Sequence, residues 1–132
     1  VTRLSRVGFD NVLGYLDGGF DSWKKSKEEI DYINSVSAYD LKEIINSDID
    51  LLDVRRENER ENGFLQNSLN IPLNTIETKI EILDKTREYY IHCAGGYRSM
   101  IACSILKRMG FDSLFDIKGG FAQIRKSELE IV

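Results

Sequence analysis

The chain has 132 residues, 42% of them apolar and 30% charged, with a formal net charge of −4. That length suits one domain with some excess, and the acidic balance excludes an electrostatic nucleic-acid footprint. No apolar run is long enough to span a bilayer, no signal-peptide pattern is present, and the two cysteines, Cys93 and Cys103, make no disulfide framework. One histidine and two cysteines offer no metal-binding set.

Taken in order, the chain begins with half of an internal repeat. Gly8-Phe9-Asp10-Asn11-Val12-Leu13, Gly18-Gly19-Phe20 and Lys25-Ser26 recur about a hundred residues later as Gly110-Phe111-Asp112-Ser113-Leu114-Phe115, Gly119-Gly120-Phe121 and Lys126-Ser127. That offset is one domain length. Residues 1–28 are therefore expected to be the C-terminal tail of a preceding domain plus a linker, with residues 29–132 as the complete unit. The tail predicts a strand near Val12–Leu16 and a helix over Phe20–Lys25. The opening Val1 suggests a processed or excised piece. Lys24–Glu29 is a charged connector.

Tyr32–Val36 is a short candidate strand. Ser37-Ala38-Tyr39-Asp40 forms a capping box with Asp in place of Glu, opening a helix that turns Ala38, Leu41, Ile44 and Ile45 inward. Ile49–Val54 is nearly all apolar and reads as a central parallel strand. Asp53 and Arg55 at its end form a structural ion pair or loop anchor. Arg56–Asn62 is a short polar helix with a solvated face, ended by Gly63. Leu69–Leu73 is a short strand stopped by the only proline, hence near an edge. Asn74-Thr75-Ile76-Glu77 is a second capping box, starting a helix with Ile76, Ile80 and Leu83 on one face. Tyr89-Tyr90-Ile91 is a buried strand. A helix with Ile101, Ala102, Ile105, Leu106 and Met109 as its apolar stripe follows the next loop. The final strand is Leu114–Ile117, and a helix from Gly120 closes the unit. This alternation predicts an open α/β layer with a mostly parallel sheet.

The loop between the Tyr89 strand and its helix reads His92-Cys93-Ala94-Gly95-Gly96-Tyr97-Arg98-Ser99. It places a thiol at the carboxyl end of a strand, against the first turn of a helix, where open α/β sheets bind ligands. A thiolate is the reactive form of cysteine, and a helix N-terminus or a nearby cation lowers its pKa. Gly95 and Gly96 let the loop curl its N–H groups inward, and Arg98 supplies a fixed fork of donors. A buried structural cysteine explains neither the glycines nor the arginine.

These residues resemble the active-site loop of rhodanese (sulfurtransferase) domains. Leu51-Leu52-Asp53-Val54-Arg55, Gly63-Phe64-Leu65, Asn70-Ile71-Pro72-Leu73, Phe111-Asp112 and Gly119-Gly120-Phe121 are similar to further segments of that family. The resemblance covers roughly residues 30–130. It implies a rhodanese-like three-layer α/β fold, with a mostly parallel five-stranded sheet and helices on both faces. It also implies that the region after the third strand meets the Cys93 loop over the carboxyl edge. Phe64 departs from the histidine common there, Gln66-Asn67-Ser68 replaces Pro-Gly-Ala, and Ile124 stands where the first repeat has Trp23. None of these lies in the loop. Cys93 to Arg98 spans six residues, the length that accompanies sulfur transfer in the family. Related phosphatases and arsenate reductases use seven.

The implied activity is sulfur transfer, with Cys93 as the nucleophile carrying a persulfide and Ala94, Gly95, Gly96, Tyr97, Arg98 and Ser99 binding substrate. The donor is thiosulfate or a persulfide, and the acceptor is sulfite, cyanide or a thiol. No cofactor or metal is expected in this chain. The tandem repeat is similar to bacterial fusions in sulfide detoxification, where a metallo-β-lactamase-fold persulfide dioxygenase precedes rhodanese units. A parent of that kind carries a non-haem iron in a domain absent from this chain. Expected partners are small sulfur compounds, the missing N-terminal domains and an oligomeric copy of the chain, with no nucleic acid or membrane. A free thiol suits a cytoplasmic setting. A sulfur-carrier module, a cysteine-dependent phosphatase or arsenate reductase, and a purely structural domain are the rivals.

Four neighbours have their own readings. His92 is a packed structural histidine, since alternation turns it away from its neighbour's face. Tyr97 is a rim residue, Ser99 is a helix cap, and Cys103 is a spectator off the apolar stripe.

Overall fold

The computed structural model describes Ser5, residues 10–45 and residues 48–132. Gly8 and Phe9 of the first repeat lie outside the described residues. The chain divides into two units, Val1–Tyr32 and Ile33–Val132.

In the first unit, helix α1 spans Gly19–Lys25 and opens on Gly18 at φ 75°. It carries the helix expected over Phe20–Lys25. The strand expected near Val12–Leu16 does not form, and that stretch has no regular structure. A strand needs a neighbour to take its N–H and C=O groups, and none of the described strands pairs with it. Trp23 Nε1 donates to Glu29 O at 3.0 Å. Leu13, Tyr15, Phe20 and Trp23 stay exposed.

The second unit runs β1 (Asn34–Val36), α2 (Ala38–Ile44), β2 (Asp50–Asp53), α3 (Glu57–Arg60), β3 (Leu69–Asn70), β4 (Tyr89–His92), α4 (Tyr97–Arg108), β5 (Leu114–Ile117) and α5 (Gly120–Ile124). The five strands form one sheet in the order β1-β5-β4-β2-β3. Every pairing is parallel, with Leu52 opposite Ile91, Asp53 opposite His92 and Tyr90 opposite Phe115. β2 is internal and β3 lies at the edge, as the apolar run and the proline predict.

Strand alternation divides the core in two. On one face Leu51, Tyr90 and Ile117 pack with Ala38 and Leu41 of α2 and Phe121 and Ile124 of α5. On the other lie Leu52, Ile91 and Leu114, with α4 burying Ser99, Ala102, Cys103 and Leu106. The result is the three-layer arrangement with helices on both faces. The first capping box is present: Asp40 N–H donates to Ser37 Oγ and Ser37 N–H to Asp40 Oδ2, both at 3.1 Å.

Two local expectations are corrected. The second capping box does not start an α-helix. Residues Leu73–Thr75 and Ile80–Ile82 form separate 3₁₀ turns, with no side-chain cap. Thr75 Oγ1 donates to Pro72 O and Thr78 Oγ1 to Thr75 O. These threonines bond locally in competition with the helical backbone. Ile76 and Leu83 are buried regardless. Cys103 lies on the buried face of α4, fully enclosed, because positions 99, 102, 103 and 106 share one side of a 3.6-residue period.

Candidate active site

All four residues of β4 are buried, so the strand ends deep in the sheet and Cys93 follows at its carboxyl edge. The Cys93 side chain forms the floor of the loop, with the residue only 1% exposed. Ala94 and Gly95 are exposed above it. The chain then turns through Gly96 at φ 97°, a backbone state that glycine adopts without a Cβ penalty, and enters α4. That turn brings Gly96 N–H to 3.1 Å from Cys93 Sγ. Of the amides expected to face the sulfur, this one makes the hydrogen bond.

A second element holds the loop from outside. The N–H groups of Phe121 and Ala122, in the first turn of α5, donate to Cys93 O at 2.7 Å and to Ala94 O at 3.0 Å. The approach requires Gly120, because a Cβ there would collide with the Cys93 carbonyl. Both loop carbonyls are thereby taken up by the first turn of α5.

Arg98 is placed at the loop's end, and its fork is closed on a carboxylate. Its two terminal nitrogens donate to Glu59 Oε2 and Oε1 at 2.6 and 2.7 Å. These bonds draw the Glu59 carboxyl down from 4.5 to about 2, against the effect of partial burial and with help from Arg56 N–H. The same bonds raise Arg98. Glu59 comes from the stretch expected to be a solvated face, and only the tertiary fold brings it to Arg98. The sequence signal was limited to its lying one turn beyond the Asp53-Val54-Arg55 segment.

Asp53 and Arg55 form the expected ion pair. Arg55 Nε and Nη2 reach the Asp53 carboxylate at 3.0 and 2.8 Å, and Arg60 Nη1 joins at 3.3 Å. Asp53 is fully enclosed and Arg55 only 3% exposed. Burial alone would push Asp53 up, yet Arg55's hydrogen bonds and charge bring it down overall. Arg55 also lies 3.8 Å over the Phe121 ring. It thus braces the helix that ties off the Cys93 carbonyl.

His92 is a packed histidine, as expected. Its ring is fully buried, and Nδ1 lies 3.4 Å from Cys93 O and 3.9 Å from Asp53 Oδ1. Nε2 has no hydrogen-bond partner among the described residues. Burial lowers its pKa, so the ring stays neutral. Tyr97 is 46% exposed at the rim.

Ser99 is not a cap. Gly96 holds the N-cap position, and no side chain caps the helix. Three residues further on, Ser99 points inward, with Oγ 3.7 Å from Cys93 Sγ, 2.5 Å from Asp116 Oδ1 and 3.2 Å from Gly96 O. Cys103 is raised to about 12, chiefly by burial. It is an inert thiol at neutral pH.

Among the described residues no group of three or more His, Cys, Asp or Glu side chains could hold a metal ion. None of their helices is long and apolar enough to cross a membrane.

Comparison with known proteins places this geometry. The model of the rhodanese-like domain matches residues 37–127. A Bacillus subtilis (strain 168) protein named provisionally as the sulfurtransferase YtwF is 37% identical over 90 residues, covering 67% of this chain and 86% of the relative. A sulfurtransferase of Allochromatium vinosum is 29% identical over 85 residues, covering 64% and 79%. The crystal structure of a rhodanese-related protein from Thermoplasma volcanium superposes with a TM-score of 0.70 at 33% identity. It covers 75% of this chain and 97% of that one.

Proposed function

The chain belongs to the rhodanese-like domain family, and from that premise we propose that it is a sulfurtransferase carrying sulfane sulfur as a persulfide on Cys93. The observation that carries the reading is the Cys93 sulfur on the floor of a six-residue loop, with Gly96 N–H aimed at it from 3.1 Å. A fixed backbone donor stabilises negative sulfur in place, without reorganisation at the moment of reaction. The sulfurtransferase names of two relatives support the same chemistry.

The Cys93 thiolate attacks the outer sulfur of thiosulfate or of a persulfide. The donor's S–S bond breaks, and sulfite or a thiolate leaves with the bonding pair. The new S–S bond leaves Cys93 as a persulfide. A thiol, sulfite or cyanide then attacks the outer sulfur, and the Cys93 thiolate is released. Tyr97 lines the entrance, and Arg98 meets an incoming anion in competition with Glu59. The six-residue loop favours this over phosphate or arsenate chemistry, which the related seven-residue loops serve. The repeated Gly-Gly-Phe segment supports a place beside a second unit of the same kind in a longer protein.

The test is intact-mass measurement after incubation with thiosulfate, with Cys93→Ser as control. The wild type gains one sulfur and the variant none. Equal labelling of both would assign the sulfur to Cys103 and overturn the reading.

A further inference from the structure

The turn and helix that close the second unit are built once more in the first. Gly18 and Gly19 hold φ 75° and 58°, and Gly119 and Gly120 hold φ 72° and 55°. Each pair opens a short helix, Gly19–Lys25 as α1 and Gly120–Ile124 as α5. The repeat is thus one of backbone conformation and not only of residue type.

The two copies differ in what covers them. In α5 the apolar Phe121 and Ile124 are buried, and the positions between and after them are exposed. α1 has the same pattern, with Phe20 and Trp23 as its apolar residues and polar or charged residues elsewhere. Yet Phe20 is 58% exposed and Trp23 42%. β5 buries Leu114 and Ile117 between β1 and β4. Their counterparts, Val12 and Leu16, are exposed. A Cβ on Gly120 would meet the Cys93 carbonyl, whereas one on Gly19 would meet nothing within 4 Å. A run of exposed apolar residues on one face marks an interaction surface.

We propose that residues 12–25 are the closing strand and helix of a second rhodanese-like unit in the same polypeptide, and that a loop of that unit lies on Gly19 as the Cys93 loop lies on Gly120. This rests on the placement of the chain beside a second unit of the same kind. The demands of the segment select the occupant. Residues 12–16 need a parallel strand on each side, as β5 has. Phe20 and Trp23 need an apolar sheet face like that of Leu51 and Tyr90, which packs with Phe121 and Ile124. A second copy of this chain does not supply these, because β5 already fills that place in its sheet. In the second unit the body precedes its closing segment in chain order. The matching body therefore belongs on the N-terminal side of Val12.

Hydrogen exchange read by mass spectrometry, on the 132-residue chain and on the full natural polypeptide, tests this. It uses no sulfur donor, so it reads separately from sulfur loading. In the full polypeptide the amides of residues 12–25 should exchange at least about a hundredfold more slowly than in the shorter chain. Those of Leu114–Ile117 should not differ and serve as the reference. Gly19→Ala in the full polypeptide should speed exchange across residues 12–25 about tenfold, by forcing a Cβ against the loop. Equal exchange in the two wild-type proteins overturns the proposal, as does a natural polypeptide with no further unit on that side. Protection in the shorter chain that grows with its concentration assigns the face to a second copy and also overturns it. Exchange in Gly19→Ala equal to that of the wild type overturns the place given to the loop. If Gly19→Ala fails to fold, the comparison of the two wild-type proteins carries the test.

Discussion

Replacing Glu59 by glutamine removes the charge that closes Arg98 while keeping an oxygen for Arg56 N–H, 3.0 Å away. The fall of the Glu59 carboxyl from 4.5 to about 2 corresponds to roughly 3 kcal/mol, at about 1.4 kcal/mol per pKa unit. The Arg98 and Glu59 side chains keep 24% and 31% of their exposure. Solvent screening therefore reduces the figure to about 1–2 kcal/mol. The folded-state pKa is depressed, so this stability is present above the unfolded value near 4.5 and is lost as pH falls toward 2. Glu59→Gln should accordingly lower stability by about 1–2 kcal/mol at pH 7, and by much less at pH 3, in urea melts at the two pH values. The same free energy should reappear with opposite sign in catalysis. A thiosulfate anion that no longer competes with Glu59 for the Arg98 fork should bind about 5–30-fold more tightly. Initial rates of sulfur transfer to cyanide, measured against thiosulfate concentration, would show this as a lower KM. A KM unchanged or raised in a folded Glu59→Gln refutes the reasoning, because Glu59 would then be aiming Arg98 at the donor rather than occupying it.

Three further outcomes follow from the brace around the loop. His92 is the only histidine; its folded-state pKa is lowered, so stability should drop as pH falls through about 6.5, by up to about 1.4 kcal/mol per pH unit. Urea melts between pH 7 and 5.5 measure that slope, and His92→Leu should flatten it whatever its overall stability. Gly120→Ala forces a side chain against the Cys93 carbonyl at φ 55°, and should cost at least about 1–3 kcal/mol in melting experiments and reduce sulfur loading; wild-type stability with full loading would disprove the brace. Asp53→Asn leaves the buried Arg55 without its carboxylate and should cost about 3–5 kcal/mol of stability, read by chemical denaturation, and a loss below about 1 kcal/mol would show that Arg55 finds other partners.

The parts legible in the sequence are those fixed by local rules. Leu114–Ile117 and the Tyr89 strand are apolar runs between turn residues, and both fall within one residue of expectation. Ser37 and Asp40 specify their cap within one turn of chain. Asp53 and Arg55 are two residues apart, so their pairing is local as well. Glu59 and Arg98 are thirty-nine residues apart, and nothing in the polar run 56–62 distinguishes Glu59 from Glu57 or Glu61. Asp116 likewise sits in a strand where alternation alone places it, and its bond with Ser99 depends on which helix covers that face. The strand expected near Val12–Leu16 fails for a different reason: its pattern is that of a strand, but pairing depends on a neighbouring strand, which sequence pattern does not supply.

The two acidic groups beyond the reach of the sequence alter how the loop is understood. An arginine beside a reactive cysteine suggests that positive charge stabilises the thiolate. Here each nearby guanidinium is already matched: Arg98 by Glu59, and Arg55 and Arg60 by Asp53. The groups within hydrogen-bonding range of the sulfur are instead Gly96 N–H and Ser99 Oγ, both uncharged. In the proposed reaction, neutral donors held by the fold would follow the sulfur through thiol, thiolate and persulfide without imposing a fixed charge on any of them. A bare guanidinium at the same distance would favour the most negative state and slow release of the sulfur to an acceptor. The pairing of Arg98 with Glu59 therefore does more than hold two elements together. On the proposed function it would keep the loop near neutral until an anion displaces Glu59, and so separate capture of the donor at Arg98 from holding of the sulfur at Gly96.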